Sequence, residues 1–182
     1  MGVLILAACA TRAPLPEPAD PLATADGTAV ASQLAMLTET VCLPAQAHAS
    51  LAAYVEARGP AALGLRPAPP PETGWTTTDE PAAYVATRQG ACFAFAYAPS
   101  PDAAPALIAT LAKPIGRRID AETRAADGAL MRRVCAPGTS FAVIEGPGPD
   151  GRAVLGVGVP PTARACAGSE APLPPSVRPG VR

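Results

Sequence analysis

The chain has little of what most chemistry is built on. Its 182 residues include one histidine (His48), one tryptophan (Trp75) and one lysine (Lys113). With a single histidine, any Ser–His or Cys–His machinery must use His48, which falls mid-helix beside an apolar stripe, an ordinary surface or packing position. Gly-x-Ser-x-Gly does not occur, so a nucleophile elbow has no support. No two cysteines lie close together, which removes the Cys-x-x-Cys spacing of zinc and redox sites. Fourteen basic residues against fifteen acidic ones give a net charge of -1. Nucleic-acid binding depends on a positive surface that releases phosphate counterions, so that class of partner is disfavoured. No apolar run approaches the ~20 residues needed to span a bilayer. Catalytic residues, metal and cofactor are accordingly all expected to be none.

Aromatic residues are also scarce, 4% of a chain that is 49% hydrophobic, and alanine supplies much of the difference. Alanine buries little area, and at roughly 25 cal/mol per Å² such a core contributes little per residue. Covalent bracing would help it.

What is present begins at the N-terminus. Gly2 to Ala8 are uncharged and small or apolar, and Cys9 follows. The run Leu6-Ala7-Ala8-Cys9 resembles the lipobox of bacterial lipoproteins. The resemblance implies that small side chains admit a signal peptidase and that the Cys9 thiol takes a diacylglycerol. Cleavage would then make Cys9 an acylated N-terminus anchored to the membrane by several chains. The apolar stretch is shorter than the ~7–15 residues of a signal core and no Lys or Arg precedes it, so the natural start is expected upstream. Thr11 to Asp26 carries prolines at 14, 16, 18 and 21 and reads as an extended tether. By analogy with lipoproteins, alanine at Ala10 points to the outer membrane, facing the periplasm; a secreted or soluble periplasmic protein is the alternative. The expected organisation is a signal-peptide remnant (1–8), a lipidated Pro-rich tether (9–27), one α+β domain (28–167) and a disordered Pro-rich tail (168–182).

Cys42, Cys92, Cys135 and Cys166 remain. An even number at wide spacing behind an export signal reads as two disulfides. Three pairings are open; Cys42–Cys92 with Cys135–Cys166 is favoured because each joins neighbouring parts of the expected fold. Each bridge would contribute on the order of 2–4 kcal/mol.

Along the domain, Val30, Leu34, Leu37 and Val41 recur at helical spacing, and Ala47, Leu51, Tyr54 and Val55 repeat the pattern over 46–58. Separated at Leu43-Pro44, these segments predict an N-terminal helical pair. Leu65 to Thr78, rich in proline, reads as a long loop. Strands are expected over 83–88 and 91–98, joined at Gln89-Gly90. Ser100-Pro101-Asp102 opens an inserted helix that Pro114 ends. A two-residue turn at Asp127-Gly128 would set Glu122 opposite Arg133, Ala121 opposite Val134 and Ala125 opposite Leu130. Apolar and charged residues then sort onto opposite faces, with Arg132 the exception. Ser140 to Glu145 and Arg152 to Val159 complete an antiparallel sheet of about six strands. The Cys-Ala-Pro-Gly-Thr-Ser-Phe stretch from Cys135 is faintly similar to strands of lysozyme-inhibitor lipoproteins, which implies a small β-barrel; the three expected helices set this chain apart.

Candidate binding residues are Arg118, Arg124 and Arg133, whose guanidinium forks suit a carboxylate or an acidic partner, and Trp75 on its loop, although a lone tryptophan more often plugs a core edge. The glycines of 146–158 lack a lysine, and Pro147 and Pro149 offer no N–H to a phosphate. The reading is a non-enzymatic envelope lipoprotein domain that binds an envelope protein or cell-wall component. The alternative is a periplasmic hydrolase acting on cell-wall substrates through paired carboxylates such as Asp120/Glu122 or Asp79/Glu80.

Overall fold

The computed structural model describes residues 26–70, 72–97, 100–126, 128–148, 151–161 and 166. Asp26 caps the first helix, its carboxylate accepting the Thr28 N–H at 3.0 Å. Helix α1 (Gly27–Leu37) does not stop before Pro44. It passes through a π-helical turn (Thr38–Cys42) into the short α2 (Leu43–Ala45). In that turn the Leu43 N–H reaches back to the Thr38 carbonyl. Pro44 has no N–H to give the Thr40 carbonyl, and the Tyr54 hydroxyl donates to it instead, at 2.8 Å. Proline is tolerated here because a side chain from the next helix fills the bond it cannot make.

That next helix, α3 (Leu51–Arg58), is shorter than the expected 46–58. Ser50 lies in the extended region and its hydroxyl accepts the Ala53 N–H at 3.0 Å, so the helix starts there. The helical pair is therefore only roughly as expected. The principal helical partner of α1 is α4 (Ala103–Ala112). Both are alanine-rich, and the approach is close: a Cβ on Gly27 would stand 2.9 Å from the Ala103 nitrogen.

The architecture is α+β, with eight antiparallel strands rather than about six. They are β1 (Leu65–Pro67), β2 (Trp75–Thr77), β3 (Tyr84–Arg88), β4 (Ala91–Ala96), β5 (Arg118–Arg124), β6 (Leu130–Ala136), β7 (Thr139–Pro147) and β8 (Ala153–Val159). Their order across the sheet is β1-β2-β3-β4-β8-β7-β6-β5, an open sheet and not a barrel. The expected loop over 65–78 contains the two missing strands. Pro67 ends β1, an edge strand, where a missing N–H costs no ladder bond.

One face of the sheet carries the helices. Val85, Ala94, Leu155, Val157, Phe141, Val143 and Val134 meet Val30, Leu34, Leu107 and Leu111 in one continuous core. Strand β4 turns its small residues, Cys92, Ala94 and Ala96, to that face and its aromatic ones, Phe93 and Phe95, to the other. Small side chains beneath α1 let helix and sheet approach, and the bulky rings are left to the outer face. Cys42 and Cys92 stand at disulfide distance, their Cα atoms 5.4 Å apart, tying the π-helical turn to β4. Cys135 and Cys166 do the same at 5.8 Å on the outer face, tying the chain beyond β8 to β6. Both pairings are the favoured ones. Among the described residues no helix is long and apolar enough to cross a membrane.

Candidate functional site

Strand β5 is the long edge of the sheet, and six of its seven residues are exposed. The hairpin it forms with β6 corrects the expected register. The Ala125 N–H bonds the Ala129 carbonyl at 2.8 Å, so the connection has three residues and not two. Gly128 supplies the left-handed residue of such a loop, at φ +87°. Arg124 then pairs with Leu130, Glu122 with Arg132 and Ala121 with Arg133. A bulge at Asp120 slips the register once more, setting Ile119 opposite Val134 and Arg118 opposite Cys135. Asp127 itself lies outside the described residues.

This register accounts for Arg132, the residue that did not fit. Its Nε donates to a Glu122 carboxylate oxygen at 2.8 Å, and its guanidinium lies 3.5 Å from Glu145. Asp120, at the bulge, turns the other way, 3.7 Å from Arg118 and 3.9 Å from Arg133. The two acids thus serve different arginines on opposite faces and do not confront each other across a cleft. Asp120 and Glu122 therefore do not make a pair of carboxyls facing one glycosidic bond. Asp79 and Glu80 are exposed, and Glu80 accepts the Ala82 N–H at 3.1 Å.

Of the candidate binding residues, the structure brings together Arg118 and Arg133, around Asp120. Arg124 belongs to the same hairpin, but its register position places it on the other face, and its guanidinium donates to the Gly128 carbonyl at 3.1 Å. Trp75 is far from them, on β2 near the opposite edge. Paired with Val85, it turns to the helix side and packs half-buried against the core. Cys9 lies outside the described residues. So do the segment up to residue 25 and the tail from 167.

Two apolar side chains stand beside these arginines: Ile115, which the sequence did not single out, and Ile119, which alternation places on the apolar face with Val134. Ile115 is fully exposed and Ile119 is 48% exposed. Both flank β5, the last strand in the order of the sheet. Ile119 keeps the apolar face, opposite the buried Val134, and stays 48% exposed on the last strand of the sheet. Arg117, next to them, was also passed over. Its guanidinium forks onto the Glu39 carboxylate, donates to the Leu111 carbonyl at 3.1 Å and lies 5.5 Å over the Phe141 ring. It is a clamp between the π-helical turn, α4 and the sheet.

Two clefts indent the described surface. A 390 Å³ cleft lies between the start of α4 and the β7–β8 hairpin, and of its described lining only Glu145 is ionisable, already beside Arg132. A 190 Å³ cleft beside Cys42–Cys92 contains His48, which is exposed and lies edge-on to Tyr54 at 5.0 Å. Gln46 there donates to the Pro160 carbonyl at 2.8 Å. Ser50 lines the same cleft, but its hydroxyl caps α3 by accepting the Ala53 N–H at 3.0 Å, and no hydrogen bond among the described residues joins it to His48. Asp120 also lies within 4.8 Å of the Cys135 and Cys166 sulfurs, but sulfurs bonded to each other are not thiolate ligands.

No protein-family model, no curated protein and no solved structure matches the chain.

Proposed function

We propose that the chain is a lipid-anchored cell-envelope lipoprotein whose disulfide-braced domain binds another envelope component and carries out no reaction of its own. The observation that carries this reading is the division of five cysteines. Four stand in two pairs at disulfide distance within the fold, and the fifth, Cys9, follows Leu6-Ala7-Ala8 in the sequence and lies outside the described residues. Bridged pairs suit an oxidising compartment. A single cysteine left over behind a lipobox suits acylation, and the prolines between Cys9 and Asp26 suit a spacer that lifts a domain off a membrane. The contact surface in this reading is the β5 edge. There Ile115 and Ile119 supply apolar area and Arg118 supplies charge on an exposed strand.

The first test is the intact mass of the native protein from membrane extracts, before and after reduction and alkylation. A chain cut before Cys9 and carrying acyl groups, with four thiols appearing on reduction, is the expected result. An unacylated chain with five free thiols overturns the proposal. For the binding surface, a photo-crosslinker at Ile115 in cells is expected to capture an envelope protein or cell-wall fragment. The variant Ile119→Asp/Arg118→Glu is expected to lose that adduct; an adduct retained in full removes the β5 edge from the reading.

A further inference from the structure

Three side chains able to ligate a metal meet on the outer face of the sheet, where β5 joins β6. Cys135 lies on β6 opposite Arg118, and Cys166 is brought to it from beyond β8. Asp120 is the residue that the bulge leaves without a partner in the β5–β6 ladder. Its carboxylate and the two sulfurs all lie within 4.8 Å of one another. No two of the three are neighbours in sequence, so the fold alone assembles them.

The surroundings leave the carboxylate able to coordinate. Asp120 lies 3.7 Å from Arg118 and 3.9 Å from Arg133, within ion-pair range but beyond hydrogen-bond distance. The two guanidiniums balance its charge and leave its lone pairs unoccupied. Cys135 and Cys166 are buried, whereas the Asp120 side chain keeps 27% of its surface exposed. The way in from solvent therefore passes the carboxylate.

While the bridge is closed its sulfurs are not ligands. We propose that opening it creates a zinc site, in which Cys135 Sγ, Cys166 Sγ and one Asp120 carboxylate oxygen bind a single Zn²⁺ and water takes the fourth, exposed position. The chemistry runs in two steps. A dithiol passes two electrons and two protons to the Cys135–Cys166 bond and leaves as a disulfide. Zn²⁺ then displaces the two thiol protons. Two sulfur ligands select zinc over calcium or magnesium, which take oxygen. The movements needed are small. Tetrahedral Zn–S bonds of ~2.3 Å set sulfurs ~3.8 Å apart, and a Zn–O bond of ~2.1 Å sets the oxygen ~3.6 Å from each. The bridged sulfurs part by less than ~2 Å, and the carboxylate already starts within 4.8 Å, so side-chain rotation suffices. Two thiolates and a carboxylate outweigh the charge of the ion by one, which Arg118 and Arg133 offset. In an oxidising compartment the closed bridge keeps metal out, and a reductant admits it. The proposal rests on the Cys135–Cys166 pairing and not on the anchoring of the chain, so the two can fail separately.

The probe is Co²⁺, which accepts the ligands of zinc and colours tetrahedral thiolate sites. The full chain is reduced with a phosphine, separated from it without oxygen and titrated. The expected result is one equivalent bound, with thiolate-to-metal charge-transfer absorption, two protons released and displacement by Zn²⁺. The oxidised chain in the same titration is expected to show no such band. Asp120→Ala is expected to weaken binding by more than the ~10-fold that loss of an outer-shell partner brings. Cys166→Ser, no less braced than the reduced wild type, keeps Cys42 and Cys92 and is expected to lose the site. A reduced chain that takes up no Co²⁺ overturns the proposal. So does either variant binding as the wild type does, which would put the metal on other thiols.

Discussion

Two hairpins in this sheet begin from the same sequence signal, a residue followed by glycine between alternating segments, and reach different geometries. Gln89-Gly90 makes a two-residue turn with both residues at positive φ, 51° and 80°. Arg88 faces Ala91 and the pairing runs unbroken to Tyr84 and Phe95. Ala126 to Gly128 make a three-residue loop, and the strands that follow slip again at Asp120. The glycine announces a left-handed residue in both, not the length of the loop. Burial fixes the register of β3–β4, because a one-residue slip would drive Phe93 and Phe95 under the helices and bring Cys92 and Ala94 out. The β5–β6 pair buries little, so charge decides: the slipped register gives Arg132 two carboxylates and leaves Asp120 to Arg118 and Arg133.

The contrast is broken most directly by removing bulk from each hairpin. Phe95→Ala deletes a ring 1% exposed and in contact with three other rings. It is expected to cost about 3–5 kcal/mol. Ile119→Ala, on an exposed edge, is expected to change stability by no more than about 0.5 kcal/mol. Urea unfolding measures both. Equal losses would mean that β5 is buried in the native protein by something that covers its edge.

Turn substitutions give an intermediate effect and sharpen the comparison. Gly128→Ala places a Cβ at φ +87° with open space around it, so only backbone strain is added, about 1–2 kcal/mol. The reverse change at the other turn, Gln89→Gly, relieves a non-glycine residue at φ 51° and is expected to raise stability by up to about 1 kcal/mol. A loss at Gln89→Gly would show that its side chain matters more than its backbone.

These cases also mark how far the sequence was legible. The class of fold, the inserted helix, the β3–β4 and β7–β8 hairpins and the favoured cysteine pairs follow from periodicity and turn residues. Strands β1 and β2 did not, because prolines on both sides hide three-residue strands that only their neighbour β3 stabilises. The continuity of α1 into α2 was hidden for another reason. Pro44 is a helix breaker unless a distant hydroxyl, that of Tyr54, takes up the stranded carbonyl. At the candidate site the arginines were visible as a charged strand, whereas their partners depended on the Asp120 bulge, which carries no local sequence mark. Trp75 was expected on a loop and lies on β2, but its packing against the core is the position a lone tryptophan more often takes. The aromatic row of the outer face was available in principle: Phe93, Phe95 and Tyr97 recur with period two, as do Gly156 and Gly158.

The smallest expected effect is the most specific to register. In the slipped pairing Glu122 meets Arg132, and in the two-residue-turn pairing it would meet Arg133. A double-mutant cycle on Glu122→Ala and Arg132→Ala is expected to yield a coupling of about 0.2–1 kcal/mol, the range for partly exposed ion pairs, and to shrink in high salt. Arg132 also lies 3.5 Å from Glu145, so its single variant loses two attractions, and only the cycle isolates the one to Glu122. The parallel cycle on Glu122 and Arg133 is expected to give no coupling, since Arg133 turns to Asp120 on the other face. Coupling to Arg133 and none to Arg132 would restore the two-residue turn and return Asp120 to an ordinary ladder position.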